Sequence, residues 1–286
     1  SLAVTFTPTV SFGATPVTTT CTPPSGALFN IGTTAVTCTA TDARQRSASC
    51  TFNVVVQPPP RLSLTRFVAF GDSITAGEDG NTTLTRTLSP ADLMAWNYPT
   101  FILTGREYPT VLVSLLAARY STQSLQMVNA GKPGEQANDP LTLSRFTTIV
   151  ASRTYDVVLL MEGTNDIYDG TGHGGLPAAV PGAISALRTM IGSARSRGIR
   201  VFLATVPPQN PAGFRGATGY LTVPLLNAQI RTLATSEGVP LVDVNDAFNN
   251  DFTLLSSDGL HPNADGFAVI ARKFYDVIRQ NLELAQ

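Results

Sequence analysis

The stretch RFVAFGDSITAGE, residues 66–78, decides the fold. Arg66–Phe70 is a short β-prone run, Gly71 ends it, and Asp72, Ser73 and Thr75 suit the first turn of a helix. A strand handed directly to a helix is the opening unit of an alternating α/β domain, and the chain downstream repeats it. Tyr108–Tyr120 has helical spacing through Val111, Leu112, Leu115 and Leu116, while Leu125–Asn129 and Asp156–Met161 read as buried strands. Val180, Ile184, Leu187, Ile191 and Ala194 share one helical face that Gly198 stops. Ile199–Val206 reads as a strand closed by Pro207-Pro208. Leu226, Ile230 and Leu233 mark a helix ending at Gly238, and Pro240–Val244 a further strand. Phe267, Ile270, Ala271, Phe274 and Ile278 stripe a terminal helix. Five strands alternating with helices predict a mostly parallel, flavodoxin-like sheet covered on both faces.

Upstream of this region the composition changes near Pro60. The first 60 residues hold 14 of the 37 threonines and only three charged side chains, Asp42, Arg44 and Arg46. Short β-branched or alternating runs (Ala3–Thr9, Pro16–Cys21, Ala35–Thr41, Ser49–Val56) predict an all-β module over 1–56. Gln57-Pro58-Pro59-Pro60 has the composition of a stiff linker, so the domains are expected at 1–56 and 61–286.

The whole chain has 286 residues, 43% of them hydrophobic, which excludes disorder as its main state. Nineteen basic against twenty acidic residues argue against a nucleic-acid partner. No apolar run approaches the roughly 20 residues of a membrane span. SLAVTFTPTV lacks the pattern of a signal peptide, so the export signal of a secreted protein is expected outside these residues.

Chemistry gathers at the strand ends. Ser73 stands where the chain leaves the carboxyl edge of the sheet, the usual ligand edge of open α/β folds. Alone, its turn reads equally as ordinary capping or as a phosphate-holding loop. Near the C-terminus, Ser257-Asp258-Gly259-Leu260-His261-Pro262-Asn263 sets a carboxylate three residues before an imidazole. Such a pair fixes the tautomer whose Nε2 accepts a proton, the requirement for activating a weakly nucleophilic serine. Asp258 also suits a turn or cap before the terminal helix. Of the two histidines, His173 lies among glycines with no carboxylate closer than Asp169, and is read as structural or incidental. Two further loops, Asn129–Gly134 and Glu162–Asp166, follow the second and third strands. Both have ordinary turn chemistry, and both carry glycine N–H or asparagine amide donors suited to a developing oxyanion.

Four blocks in order, GDSIT, NAGKPG, GTND and DGLHPN, resemble the SGNH, or GDSL, hydrolase superfamily across about residues 66–282. The resemblance implies a three-layer α/β/α domain with strand order 2-1-3-4-5. It also implies Ser73 as nucleophile, His261 as base, Asp258 as its orienting acid, and an oxyanion hole from Ser73, Gly134 and Asn165. Gly134 fits the second block better than Gly131. The stretch 78–106, with Trp96, Tyr98 and Phe101, is either a substrate-facing wall or a surface excursion packed on itself. CTPPSGALFNIGTTAVTCTATDARQRSASCTFNVVV resembles a hyalin repeat (HYR), an immunoglobulin-like β-sandwich module, in a version that begins after an earlier cysteine. That likeness implies a Cys21–Cys38 disulfide, with Cys38–Cys50 as the rival pairing, and leaves Cys50 with a partner expected before residue 1. Either bridge implies an oxidising, extracellular compartment.

The expected activity is a secreted, cofactor-free and metal-free serine carboxylic ester hydrolase acting on a small or polymeric ester. A thioesterase or acyltransferase using the same serine is the alternative. From another class, the alternative is an adhesion or carbohydrate-binding protein with an inert hydrolase fold. The first module is expected to act as a spacer or to contact carbohydrate or protein.

Overall fold

A computed structural model describes residues 1–80 and 101–285; Trp96 and Tyr98 lie outside the described residues. The chain divides into two compact units, Ser1–Pro60 with the last residues, and Arg61–Leu284.

The smaller unit is antiparallel β. β2 (Thr18–Thr22), β4 (Gly32–Thr41) and β5 (Ser47–Val56) form one sheet, and β1 (Leu2–Ala3) pairs with β3 (Leu28–Phe29). The alternation of the long strands sends Val36, Cys38, Val54 and Val56 into a small core with Phe29. Threonines and serines fill the other face, where Thr37 bonds Thr51, Thr39 bonds Ser49 and Thr41 bonds Ser47. Cys21 faces Cys38 in register with 4.0 Å between Cα atoms, and the two form a disulfide. Cys50 faces Cys38 from the other side and is an exposed free cysteine. The Asp42 carboxyl, held by N–H groups of Ala14, Arg44 and Arg46 and by the Arg46 guanidinium, closes the β4–β5 turn.

In the larger unit β6 (Arg66–Gly71), β9 (Gln126–Gly131), β10 (Val157–Met161), β11 (Arg200–Ala204) and β12 (Leu241–Val242) form a parallel sheet. Its spatial order, β12-β11-β10-β6-β9, is the 2-1-3-4-5 arrangement of the doubly wound fold. Over the central strands β6, β10 and β11 both faces are buried because successive residues alternate between two cores. Phe67, Ala69, Val157, Leu159, Met161, Phe202 and Ala204 point one way, onto α2 (Tyr108–Arg119) and α7 (Ala264–Leu282). Val68, Phe70, Val158, Leu160, Val201 and Leu203 point the other way, onto α3 (Pro140–Ala151), α4 (Val180–Arg195) and α5 (Val223–Glu237). Each such Val, Leu, Phe or Met side chain stabilises the fold by about 1.5–3 kcal/mol when fully buried.

The periodicity misses α3, which starts on Asp139 as N-cap and Pro140 at its first turn and buries Thr142, Phe146 and Val150. Its threonines and single aromatic mask the apolar stripe. The last strand is shorter than its apolar run because the Asp243 side chain accepts the Asp246 N–H and starts α6 (Val244–Phe248) instead.

The terminal helix packs on α2 through Phe274, fully buried and stacked on Tyr108 with ring centroids 5.1 Å apart. Phe274→Ala is therefore expected to cost about 3–5 kcal/mol of stability, read as a lowered urea midpoint.

Candidate active site

Gly71 is the last residue of β6 in register with both Gly131 of β9 and Met161 of β10. The chain then turns at once into α1 (Ser73–Ala76), with Asp72 as N-cap accepting the Ile74 N–H at 2.9 Å. The turn is possible only without side chains at two places. A Cβ on Gly71 would lie 2.3 Å from the Met161 carbonyl oxygen, and one on Gly131 2.1 Å from the Ala76 nitrogen.

Ser73 Oγ lies 2.9 Å from His261 Nε2, and His261 Nδ1 lies 2.6 Å from Asp258 Oδ2. The other oxygen of Asp258 accepts the N–H groups of Leu260 and His261, each at 3.0 Å, so one tight turn fixes the carboxylate and the ring together. All three side chains are buried. Burial by itself raises the Asp258 carboxyl. The His261 hydrogen bond and charge, with the backbone donors, outweigh it and hold the group below the usual carboxylate range.

Segments distant in sequence support this turn. Gly80 packs directly on the Asp258 carboxyl, where a Cβ would stand 2.1 Å from Cγ. The Asp258 carbonyl accepts the N–H groups of Arg215 and Gly216, and the Gly259 carbonyl that of Asn210. Ser256 Oγ donates to Asp79, and Ser257 Oγ to the Gly80 carbonyl. Glu78, buried, takes a 3.0 Å bond from Arg215 Nη1 and brings Oε2 to 3.7 Å from His261 Nε2. β7 (Glu78–Asp79) pairs with β8 (Phe101–Ile102), which places the Phe101 backbone opposite Asp79.

The loops after β9 and β10 are stitched to each other. Asn165 Nδ2 donates to the Glu135 carbonyl at 2.8 Å, and Gln136 Nε2 to the Asn165 carbonyl at 3.0 Å. Asp166 accepts the N–H groups of Ala137 and Asn138. Arg145 of α3 grips the buried Glu135 with two hydrogen bonds, donates to the Ala130 carbonyl, and lies 4.0 Å over the Phe70 ring. Gly134 sits exposed at φ 76°, a left-handed conformation that suits glycine. His173 is exposed, in a loop whose N–H groups at 171, 172, 173 and 175 all bond the Asp169 carboxylate. Sequence patterning leaves Glu78, Glu135, Arg145 and Arg215 unnoticed, because each acts through a partner that no local spacing reveals.

Among the described residues, no helix is long and apolar enough to cross a membrane. A search of curated proteins finds no match. Solved structures match the larger part of the chain. A lipase/acylhydrolase from Enterococcus faecalis is 24% identical, over 78% of this chain and 100% of its own, with a TM-score of 0.54. A carbohydrate acetylesterase from Sinorhizobium meliloti is 18% identical over 76% and 99%, with a TM-score of 0.57. An acetylxylan esterase from Geobacillus stearothermophilus is 21% identical over 77% and 96%, with a TM-score of 0.55. At these identities the likeness establishes the fold.

Asp258 supplies a test of the geometry that does not depend on turnover. A carboxyl with a lowered folded pKa stabilises the protein above its unfolded value, and that stabilisation is lost as pH falls through the folded value. Asp258→Asn is therefore expected to lower Tm at neutral pH. Its deficit against wild type should shrink once the pH is taken below about 3.9, the ordinary aspartate value.

The HYR domain model matches residues 1–56. The model of the GDSL-like lipase/acylhydrolase family matches residues 69–269, so the chain belongs to that family and is a hydrolase of ester bonds.

Proposed function

We propose that the protein is an extracellular serine esterase that works through an acyl-enzyme on Ser73. The observation that carries this reading is the buried relay from Ser73 Oγ through both ring nitrogens of His261 to Asp258, at 2.9 and 2.6 Å. His261 takes the serine proton as Oγ attacks the ester carbonyl, and returns it to the leaving alcohol. Water, activated by the same ring, then releases the acid. The tetrahedral oxyanion is held by the Ser73 N–H, the Gly134 N–H and the Asn165 amide. The stitching of the two loops around Glu135 and Asn165 supports that assignment. One Asn165 amide hydrogen is occupied by the Glu135 carbonyl, which aims the group and leaves the second hydrogen for substrate. Extracellular residence is supported by the Cys21–Cys38 disulfide and by the match of residues 1–56 to a HYR domain. In this reading the domains run over 1–56 and 61–286, and the first serves as a spacer or a protein- or carbohydrate-contacting module.

Hydrolysis of p-nitrophenyl acetate by wild type and variants tests the proposal. Ser73→Ala is expected to abolish turnover, and an unchanged rate would sink the assignment. Asn165→Ala is expected to lower kcat by about 10²–10³, the usual effect of losing one oxyanion donor.

A further inference from the structure

One buried acid takes no part in that chemistry. Glu162 is the first residue after β10, and Asp72 the first after β6. The two strands pair in parallel register up to Gly71 and Met161, so Asp72 and Glu162 leave the sheet edge side by side. Both are fully enclosed, at 1% and 0% exposure. Asp72 Oδ1 accepts the Ile74 N–H, and the Thr164 hydroxyl adjoins the Asp72 carboxyl, but among the described residues neither Asp72 Oδ2 nor either oxygen of Glu162 has a partner in hydrogen-bond geometry. Two adjacent ionised carboxylates in a water-excluded pocket offer only acceptors and repel each other. A single proton on one of them converts the repulsion into a donor–acceptor contact.

The surroundings decide which acid holds it. Burial, then the charges of Asp72, Glu135 and Asp166, raise Glu162 well above the ordinary range, against the pull of Arg145 from α3. Arg145 is already engaged by Glu135 through two hydrogen bonds. Burial, with a smaller push from the Asp166 charge, also raises Asp72, to about 6, but the Ile74 N–H, the His261 charge and the Thr164 hydroxyl draw it back towards the anion. From α2, Tyr108 adds a neutral phenol, whose own ionisation burial opposes.

We propose that Glu162 is a protonated positioning residue whose carboxyl donates to Asp72 Oδ2, forming a carboxylic acid–carboxylate pair beneath the nucleophile turn. The pair joins the turn that carries Ser73 to the loop that carries Asn165, three residues beyond Glu162. It thereby holds nucleophile and oxyanion donor at a fixed separation. This rests on the esterase reading for its effect on rate, but not for its existence.

Three measurements on the full chain test it. At neutral pH the infrared spectrum of wild type should contain the carbonyl stretch of a protonated carboxyl that Glu162→Gln removes; identical spectra would overturn the proposal. A group with a raised folded pKa stabilises most at low pH and loses that contribution as pH rises from its unfolded towards its folded value. Wild-type Tm should accordingly fall more steeply than that of Glu162→Gln as pH rises above about 4.3, the ordinary glutamate value. Parallel profiles would count against the pair. If Glu162→Gln does not fold, Asp72→Asn, which removes the other carboxyl, must flatten the same fall. Finally, Glu162→Leu should lower kcat about tenfold or more with KM unchanged, the scale of one lost buried hydrogen bond. Glu162→Gln, which keeps a donor, should recover most of that loss; equal losses would reject the positioning role. The spectrum and the Tm profiles are independent of turnover, so failure of the esterase assignment alone leaves both decisive.

Discussion

Strand β6 lies between β9 and β10 with Gly71 opposite both Gly131 and Met161, and the groups at the site are placed from that register. Three chain segments leave one edge of the sheet, the outer two each one strand spacing from the first. The first becomes the turn at Ser73, the second the Gly134 loop, the third the Asn165 loop. Hydrogen bonds in the ladder fix the strands' register, so groups at their ends are placed more precisely than loops alone would place them. The cost is borne by Gly71 and Gly131, where backbone meets backbone too closely for any side chain.

The histidine turn comes from elsewhere, 188 residues from Ser73 in sequence. It is not left to find its place through the 2.9 Å contact alone. Its backbone is bound by the 210–216 segment, its serines by Asp79 and Gly80, and its carboxylate is roofed by Gly80. Residues 78–80 closely follow the short helix that begins at Ser73, so one short segment ties the Ser73 turn to the His261 turn. Such support holds the serine–imidazole contact at hydrogen-bond distance, and the proposed proton transfer depends on that distance because a small displacement is expensive in rate.

The central strands were legible in the sequence because both of their faces are buried. A strand such as Val157–Met161 is then a continuous apolar run, and the helices between such runs show their period. Strand order was not readable from periodicity and came only with the resemblance carried by the four blocks. α3 stayed hidden behind its threonines, and the α6 turn behind an apolar run that a capping Asp243 cuts short. Within the site, Ser73, Asp258 and His261 were legible because their spacing has a chemical rationale. Arg145 and Arg215 were not, since an arginine in a helix or loop declares nothing about the carboxylate it will meet. Glu162 was hidden for a different reason: at the end of an apolar run it reads as the first polar residue of a turn.

All of the site's groups come from the carboxyl edge of the sheet and the turns that cover it. The opposite edge, where β11 and β12 begin, is bounded by Gly198, in the turn after α4, and by Gly238, the C-cap of α5, both with open space beside them. That polarity separates chemistry from attachment. An insertion, a tether or a solid support joined at the Gly198 or Gly238 turn would hold the domain by its back and leave the mouth facing its substrate.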